Sequence, residues 1–344
     1  MQQPSTTDAQ WMLRALELAA HGPEADANPR VGCVLVGPDG TRLAEGWHEG
    51  AGTPHAEAVA LAALTATGSH AKGATAYVTL EPCHHTGRTA PCSRALAAAG
   101  VTRVVYAVPD PNASAAGGAA WLAEQGVVTL GGVLATEAEA LNRTWLHLQR
   151  TGRPWVTWKL ATTLDGRSAA ADGTSQWITG PEARADVHEQ RATCGAILIG
   201  TGTALTDDPS LTARRPDGTL HERQPLRVVM GQRDLPPDAR LFDDAAETLH
   251  LRTRSPREVL AELAGREVHH VWLEGGPTVA AAFMADGLVD EIVAYVAPVL
   301  LGRGRPSVSD LGITTIADAL RLAPTDTRVV GTDIRITATL QETH

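Results

Sequence analysis

Aromatic side chains are scarce in this chain: 2 Phe and 3 Tyr in 344 residues, beside 8 Trp. Aliphatic residues, Ala and Trp must therefore fill its cores. Cysteine is equally thin. Four Cys make no disulfide framework, and a reducing, cytoplasmic setting is expected. No run of 18 apolar residues occurs, so no helix is expected to span a membrane. No apolar stretch follows a basic N-terminal region, so no signal peptide is expected. Blocks of one charge are missing too. With a formal charge of −10, neither a nucleic-acid duplex nor an anionic membrane is an expected partner. What is present is an ordinary globular balance, 43% hydrophobic and 20% charged, over a length that suits two domains.

The spacing of Met12, Leu13, Leu16, Ala19 and Ala20 predicts a helix over 9–20, capped by Thr7 or Asp8. Residues 31–36 read as a buried strand, and Pro38-Asp39-Gly40 as a turn into a second strand ending near Trp47. A helix over about 54–64 follows, with Pro54 in its first turn, where a missing N–H costs nothing. Strands at 74–80, 103–108 and 127–130 flank a helix at 91–99, and 135–150 reads as one long helix. Thr151-Gly152-Arg153-Pro154 breaks that helix, which sets the expected domains at 1–150 and 151–344. The second half alternates strands (155–160, 196–199, 226–230, near 249, 271–273, 291–296) with helices (181–192, 256–264, from 277). Alternation of this kind implies α/β folds with largely parallel sheets. Cys33 and Cys194 lie in apolar segments and read as small buried hydrophobes.

The chemistry concentrates between Pro54 and Cys92. Pro54-His55-Ala56-Glu57 opens a helix, and Glu81-Pro82-Cys83 and Pro91-Cys92 close the stretch. Catalytic zinc keeps three protein ligands and one place for water. His55, Cys83 and Cys92 supply three. Residues two apart on a helix lie about 200° apart, so His55 and Glu57 share a site only at the helix end. Cys92 falls at a helix start, where free N–H groups favour a thiolate. Glu57 is then a proton carrier between water and a departing amine. The alternative is a closed structural zinc site, with His48, His84 or His85 as fourth ligand.

Asn28-Pro29-Arg30-Val31-Gly32-Cys33-Val34, Gly46-Trp47-His48, His55-Ala56-Glu57 and the run from Glu81 to Cys92 together resemble the bifunctional deaminase–reductase family of riboflavin biosynthesis. The eight residues between Cys83 and Cys92 distinguish this pattern from that of cytidine and tRNA-editing relatives. The resemblance implies a cytidine-deaminase-like N-terminal domain holding one Zn2+. It also implies substrate contacts from Asn28, His48, His85 and Arg88. One departure follows Asp110-Pro111-Asn112, where the family continues with Pro and a Gly-Arg-Gly. Here Ala113 to Gly118 stands, one residue shorter.

In the second half, Lys159 to Arg167, Ser175-Gln176-Trp177, Arg191, Gly200 to Pro209, Arg214 and Glu274-Gly275-Gly276-Pro277-Thr278 match the reductase half of that family in order. Residue by residue, the last is the most telling, since bare backbone N–H groups after a strand suit a phosphate. The resemblance implies a dihydrofolate-reductase-like fold. It implies an NADPH site from Thr162, Trp177, Thr203, Asp207 and Gly276, Pro277, Thr278, Val279, Ala280, Ala281 and Ala282. It implies substrate contacts from Ser175, Arg191, Leu211, Arg214 and Glu274, with Arg191 and Arg214 facing the substrate phosphate. A second departure is Gly231-Gln232, where the family often has Asp-Ser or Asp-Thr. The expected function is zinc-dependent deamination of a phosphoribosylaminopyrimidine, then NADPH-dependent reduction of its ribosyl group. A homo-oligomer, dimer or tetramer, is expected. The rival readings are a deaminase of another base with a decayed second domain, and a zinc-stabilised binding module. Glu57 disfavours the latter, because binding alone does not require it.

Overall fold

A computed structural model describes residues 5–85 and 91–341. The chain divides into two compact units, Met1–Thr151 and Gly152–His344.

In the first unit the order is α1 (Thr6–Ala19), β1 (Gly32–Val36), β2 (Arg42–Trp47), α2 (Ala56–Ala66), β3 (Thr75–Leu80), α3 (Cys92–Ala98), β4 (Arg103–Val108), α4 (Gly118–Glu124), β5 (Val128–Gly131), α5 (Ala135–Leu141) and α6 (Arg143–Thr151). The sheet runs β2-β1-β3-β4-β5. Its β1–β2 and β1–β3 pairs are antiparallel, and its β3–β4 and β4–β5 pairs are parallel. The expectation of a largely parallel sheet therefore fails for this unit: a tight turn at Pro38–Gly40 folds β2 back on β1, which only antiparallel pairing permits. Helices approach the sheet closely because glycines face them. A Cβ on Gly32 would fall 2.0 Å from the Ala15 carbonyl oxygen of α1, and one on Gly46 would fall 2.5 Å from that of Ala56 in α2. Met12, Leu18, Val34, Leu35, Val78, Leu96, Val104, Val105 and Leu122 form the core.

Three local expectations are corrected here. Helix α1 starts earlier, at Thr6, because Ser5 is its cap and Asp8 closes a capping box at the third helical position. Asp8 is buried and also accepts from the Arg103 guanidinium (2.6 and 3.1 Å) and the Tyr77 hydroxyl (3.0 Å). Pro54 lies outside α2, whose cap is His55. The predicted helix over 135–150 is two helices, interrupted at Asn142. That side chain leaves helical duty to pair with the Arg30 backbone, accepting from its N–H and donating to its carbonyl, both at 2.8 Å. Helix α4 is absent from the sequence reading, being short and Ala-rich.

The second unit has β6 (Trp155–Thr163), β7 (Arg167–Ala170), α7 (Pro181–Ala192), β8 (Ala196–Gly200), α8 (Thr201–Asp207), β9 (Leu226–Met230), β10 (Thr248–Leu251), α9 (Pro256–Gly265), β11 (His270–Leu273), α10 (Pro277–Ala285), β12 (Glu291–Ala297), β13 (Gly304–Pro306), β14 (Leu322–Val330) and β15 (Asp333–Leu340). Its main sheet runs β10-β9-β8-β11-β6-β12-β15-β14, parallel as far as β12. The β14–β15 hairpin is antiparallel and extends that sheet at one edge. Most β14 residues are exposed, so no apolar alternation marks that strand, but β15 alternates Ile334, Ile336, Ala338 and Leu340 with polar residues and is a strand the sequence reading omits. Helix α8 escaped because its Gly-Thr-Gly start reads as a turn. Cys33 and Cys194 are buried, as expected. No helix among the described residues is long and apolar enough to cross a membrane.

Asp8 supplies a stability test. Arg103 depresses its carboxyl well below the usual range, although burial works the other way. A depressed carboxylate contributes stability above its unfolded value near 3.9, and that contribution is lost as pH falls. Asp8→Ala should destabilise the first unit by roughly 2–3 kcal/mol near neutrality, less than a fully buried pair because Arg103 reaches solvent. Denaturant melts at several pH values check this. The gap between parent and variant should close as pH drops below about 4.

Candidate active sites

The first site is built where two helix starts meet one strand end. His55 caps α2, yet its ring makes no capping bond. Cys92 is the first residue of α3, behind Pro91. Cys83 follows β3 in the turn Glu81-Pro82-Cys83-His84. The His55 Nδ1 lies 3.6 Å from the Cys83 Sγ and 3.4 Å from the Cys92 Sγ. All three ligand atoms lie within 4.8 Å of one another. Zinc bonds of about 2.3 Å to sulfur and 2.0 Å to nitrogen, at tetrahedral angles, would separate such donors by roughly 3.6 Å. The donor set therefore fits a zinc ion in both chemistry and spacing.

The three donors perturb one another. The Cys92 thiol and His55 hold Cys83 down at about 4, against the opposing effect of burial. Cys92, hydrogen-bonded to Cys83 and buried, is pushed well up. Cys83 also raises His55. Glu57, at the second helical position and only 3% exposed, is pushed up to about 7 by burial, with His55 pulling the other way.

Around this cluster, Asn28 and His48 form a fixed pair. The His48 Nδ1 is 2.9 Å from the Pro54 carbonyl, which can only accept, so Nδ1 carries the proton. The Nε2 then accepts from the Asn28 amide at 3.0 Å. His84 is engaged elsewhere, with its Nδ1 2.9 Å from the Ser93 Oγ. His85 is exposed. Among the described residues, His48, His84 and His85 all stand outside the His55–Cys83–Cys92 group, so the closed four-ligand alternative gains no fourth ligand. Arg88 lies outside the described residues.

Two residues here escaped the sequence reading. Asp110, after β4, is half-buried and raised to about 6 by burial, with Glu81 and Cys83 adding to the rise and His85 opposing it. Glu81 is a buried carboxylate that binds two backbone N–H groups. An acid directly before Pro-Cys was the available signal, since buried acids are rare without partners.

The second site lies at the carboxyl ends of β8, β11 and β6, neighbours in the sheet. Glu274 follows β11. Arg191 of α7 grips it with two bonds, Nε to Oε1 at 2.6 Å and Nη2 to Oε2 at 2.8 Å, and donates a third from Nη1 to the Thr212 carbonyl at 3.0 Å. The Trp272 indole donates to Glu274 Oε1 at 2.8 Å. Burial would raise Glu274, but Arg191 and Lys159 outweigh it and hold the carboxyl at about 2. Lys159, projecting from β6, is lowered by burial and by Arg191, with Glu274 opposing. No role was read for Lys159 in the sequence; a lysine inside a buried strand was the signal. Arg191, expected on the substrate phosphate, makes this ion pair. Arg214 is exposed. His188, near Arg191 and Arg214, is lowered to about 4 by burial and by both cations, and its Nδ1 donates to the Thr212 carbonyl.

The remaining expected residues are distributed as follows. Thr162 is buried near the end of β6. A Cβ on Gly276 would stand 3.6 Å from the Thr203 Oγ1, so the starts of α10 and α8 approach each other. Asp207 ends α8 and is raised by burial, with Arg305 opposing. Pro277 to Ala282 lie on α10. Thr278 is exposed, Val279 packs toward Gly275 and Gly200, Ala281 and Ala282 are half-buried, and the Ala280 side chain is wholly in the core. Leu211 is also buried, in the left-handed region at φ 45°. Ser175 and Trp177 are exposed, and the Arg184 guanidinium sits 4.6 Å over the Trp177 ring. Gln232 donates to the Arg252 carbonyl at 2.8 Å.

Comparison with known proteins agrees with this geometry. Residues 5–108 match the model of the cytidine and deoxycytidylate deaminase zinc-binding region, and residues 154–336 match that of the RibD C-terminal domain. The chain is 52% identical over 307 residues to the riboflavin biosynthesis protein RibD of Mycobacterium tuberculosis, covering 89% of each chain. It is 42% identical to the RibD of Escherichia coli, covering 95% of this chain and 98% of that one. Among solved structures, an Acinetobacter baumannii RibD superposes with a TM-score of 0.87 at 38% identity, covering 98% and 99% of the two chains. A Thermotoga maritima diaminohydroxyphosphoribosylaminopyrimidine deaminase/5-amino-6-(5-phosphoribosylamino)uracil reductase superposes with a TM-score of 0.88 at 30% identity, covering 97% and 99%.

The ligand set is tested by metal analysis. Cys83→Ser should weaken zinc binding by more than the roughly 10- to 100-fold cost of losing an outer partner. Full zinc content in that variant after dialysis against a chelator would refute the set.

Proposed function

The chain belongs to the RibD family and is a bifunctional, zinc- and NADPH-dependent riboflavin biosynthesis enzyme, and we propose that its first unit performs the deamination and its second the reduction. Its substrate is a small molecule, 2,5-diamino-6-(5-phosphoribosylamino)pyrimidin-4(3H)-one. Water replaces one exocyclic amine, releasing ammonia. The ribosyl group is then reduced to a ribityl chain, giving 5-amino-6-(5-phosphoribitylamino)uracil.

The observation that carries the deaminase assignment is the meeting of His55 Nδ1 with two thiols beside a buried Glu57. His55, Cys83 and Cys92 would hold the zinc, which supplies Lewis acidity that lets water ionise near neutral pH. Glu57 takes the proton from that water and delivers it to the leaving amine. Its place at the start of α2 keeps the carboxyl at the cluster. The Asn28–His48 pair fixes the amide of Asn28 as a hydrogen-bonding edge for the pyrimidine. His85 and Arg88 fall between the two cysteines in the sequence, and their side chains suit the phosphoribosyl group.

For the reductase, the supporting observation is the Arg191–Glu274–Lys159 group, at the end of β11 and beside the middle of β6. NADPH supplies the hydride. Thr162, Trp177, Thr203, Asp207 and the Gly276–Ala282 segment would hold it, Ala280 through its backbone because its side chain is in the core. Ser175, Leu211 and Glu274 contact the sugar, and Arg191 orients Glu274. Arg214, exposed, and Arg191 beside it suit the substrate phosphate. The Lys159 ammonium provides the proton for the reduced sugar oxygen. The expected homo-oligomer draws support from the β14–β15 hairpin, where Val329 faces Ile334 across the strands and both are exposed. The acidic balance supports no nucleic-acid partner. Four free cysteines support a reducing, cytoplasmic setting.

Two substitutions test the division of labour. Glu57→Gln should keep zinc and fold but lose ammonia release by about 10²–10⁴-fold. Reduction of supplied deaminated intermediate should persist. Parental deamination by that variant would assign the proton to another group. Asp207→Ala should do the converse, raising the NADPH Michaelis constant or lowering reduction while ammonia release continues. An unchanged reductase in a variant with a normal melt would overturn the placement of Asp207.

A further inference from the structure

We propose that Glu81 is a positioning residue for the metal-binding turn, acting through the segment 110–121. This rests on His55, Cys83 and Cys92 being the zinc ligands. Cys83 sits in a turn with no ladder or helix of its own to hold it. Its neighbours are instead pinned by groups distant in sequence. The two oxygens of Glu81 accept separate backbone N–H groups, Asp110 at 3.1 Å and Ala119 at 2.9 Å. Glu81 itself is only 8% exposed. Beside it, a Cβ on Gly118 would fall 1.7 Å from the Pro82 carbonyl oxygen, so only glycine lets α4 seat there. The His84 N–H donates to the Ala115 carbonyl at 2.8 Å. The His84 ring stacks on Trp121 of α4, with centroids 5.0 Å apart and planes at 28°. Ser93 adds a further hold, donating to the Cys83 carbonyl from its N–H at 3.2 Å and its hydroxyl at 3.0 Å.

Each residue before and after Cys83 is thus fixed from one side by 110–121. That segment contains Ala113 to Gly118, where the resemblance to the family pattern is interrupted. Its role in this chain is to buttress the ligand turn. Glu81 is the keystone because its two acceptor oxygens tie both ends of the segment to one side chain. The requirement is for a side chain with two acceptors and no donor. A glutamine of the same shape offers one oxygen, and its NH2 faces the other N–H without a bond. Partners that orient a metal ligand typically affect metal affinity or activity by about 10- to 100-fold.

The test compares zinc-loaded full-length parent, Glu81→Gln and Trp121→Leu. Zinc transfer to a chromophoric chelator is timed well below the melting temperature, alongside deaminase kcat and KM and reduction of supplied deaminated intermediate. The expected result for Glu81→Gln is one zinc per chain at the outset, zinc release faster by about 10- to 100-fold, a lower deaminase kcat, and unchanged reduction. Trp121→Leu, which removes the stack on His84, should shift release in the same direction by less. A purely structural role would lower the melting temperature and leave zinc release from the folded protein at the parental rate; that result overturns the proposal. Parental zinc release and turnover in both variants also overturn it. If Glu81→Gln fails to fold, the release rate of Trp121→Leu decides by the same criterion. A parent that holds no zinc at all would instead sink the ligand assignment on which the proposal rests.

Discussion

The deaminase half depends on one constraint: three donors from three separate elements must meet at a buried point without a strand or helix running through it. Helix starts solve this, because their first residues leave the backbone pattern while their side chains are still rigidly placed. His55 and Cys92 both occupy such starts. Glu57 is carried to the same point by the first turn of α2. Cys83 is the exception, lying in a turn, where Ser93 holds its carbonyl and the segment 110–121 holds its neighbours Glu81 and His84. The site is thus as firm as its least regular ligand.

The reductase half uses a different solution. A carboxylate and two cations, Glu274 after β11, Lys159 in the middle of β6 and Arg191 in the last turn of α7, are taken largely out of water. Isolated, such charges would be costly to bury; grouped, they stabilise one another. Arg191 and Lys159 hold the Glu274 carboxyl at about 2 against the effect of burial, whereas burial first, and Arg191 second, keep Lys159 below the usual lysine range.

Much of the deaminase site was legible in the sequence because metal chemistry permits few residue types. His55, Glu57, Cys83 and Cys92 announce themselves by type and order. Contacts between distant residues left no such trace. Asn142 breaks a helix to pair with Arg30, 112 positions away, and Arg191 joins Glu274 across 83 positions. Helices α4 and α8 were hidden by short, small-residue stretches and β14 by exposure that erased its alternation, whereas β15 does alternate, with Ile334, Ile336, Ala338 and Leu340 between polar residues. Propensity and periodicity report burial of one face; where an element is short or solvated on both faces, they have little to report.

The central claim is that one chain carries two coupled chemistries, and the most direct measurement follows both at once. Zinc-loaded protein is incubated with the diaminopyrimidine substrate, with and without NADPH, while ammonia and NADPH absorbance are recorded. Ammonia should appear in both mixtures, and NADPH should then be consumed in proportion to the deaminated product formed. Ammonia release with no oxidation of NADPH, or oxidation of NADPH with no ammonia released, would contradict the account.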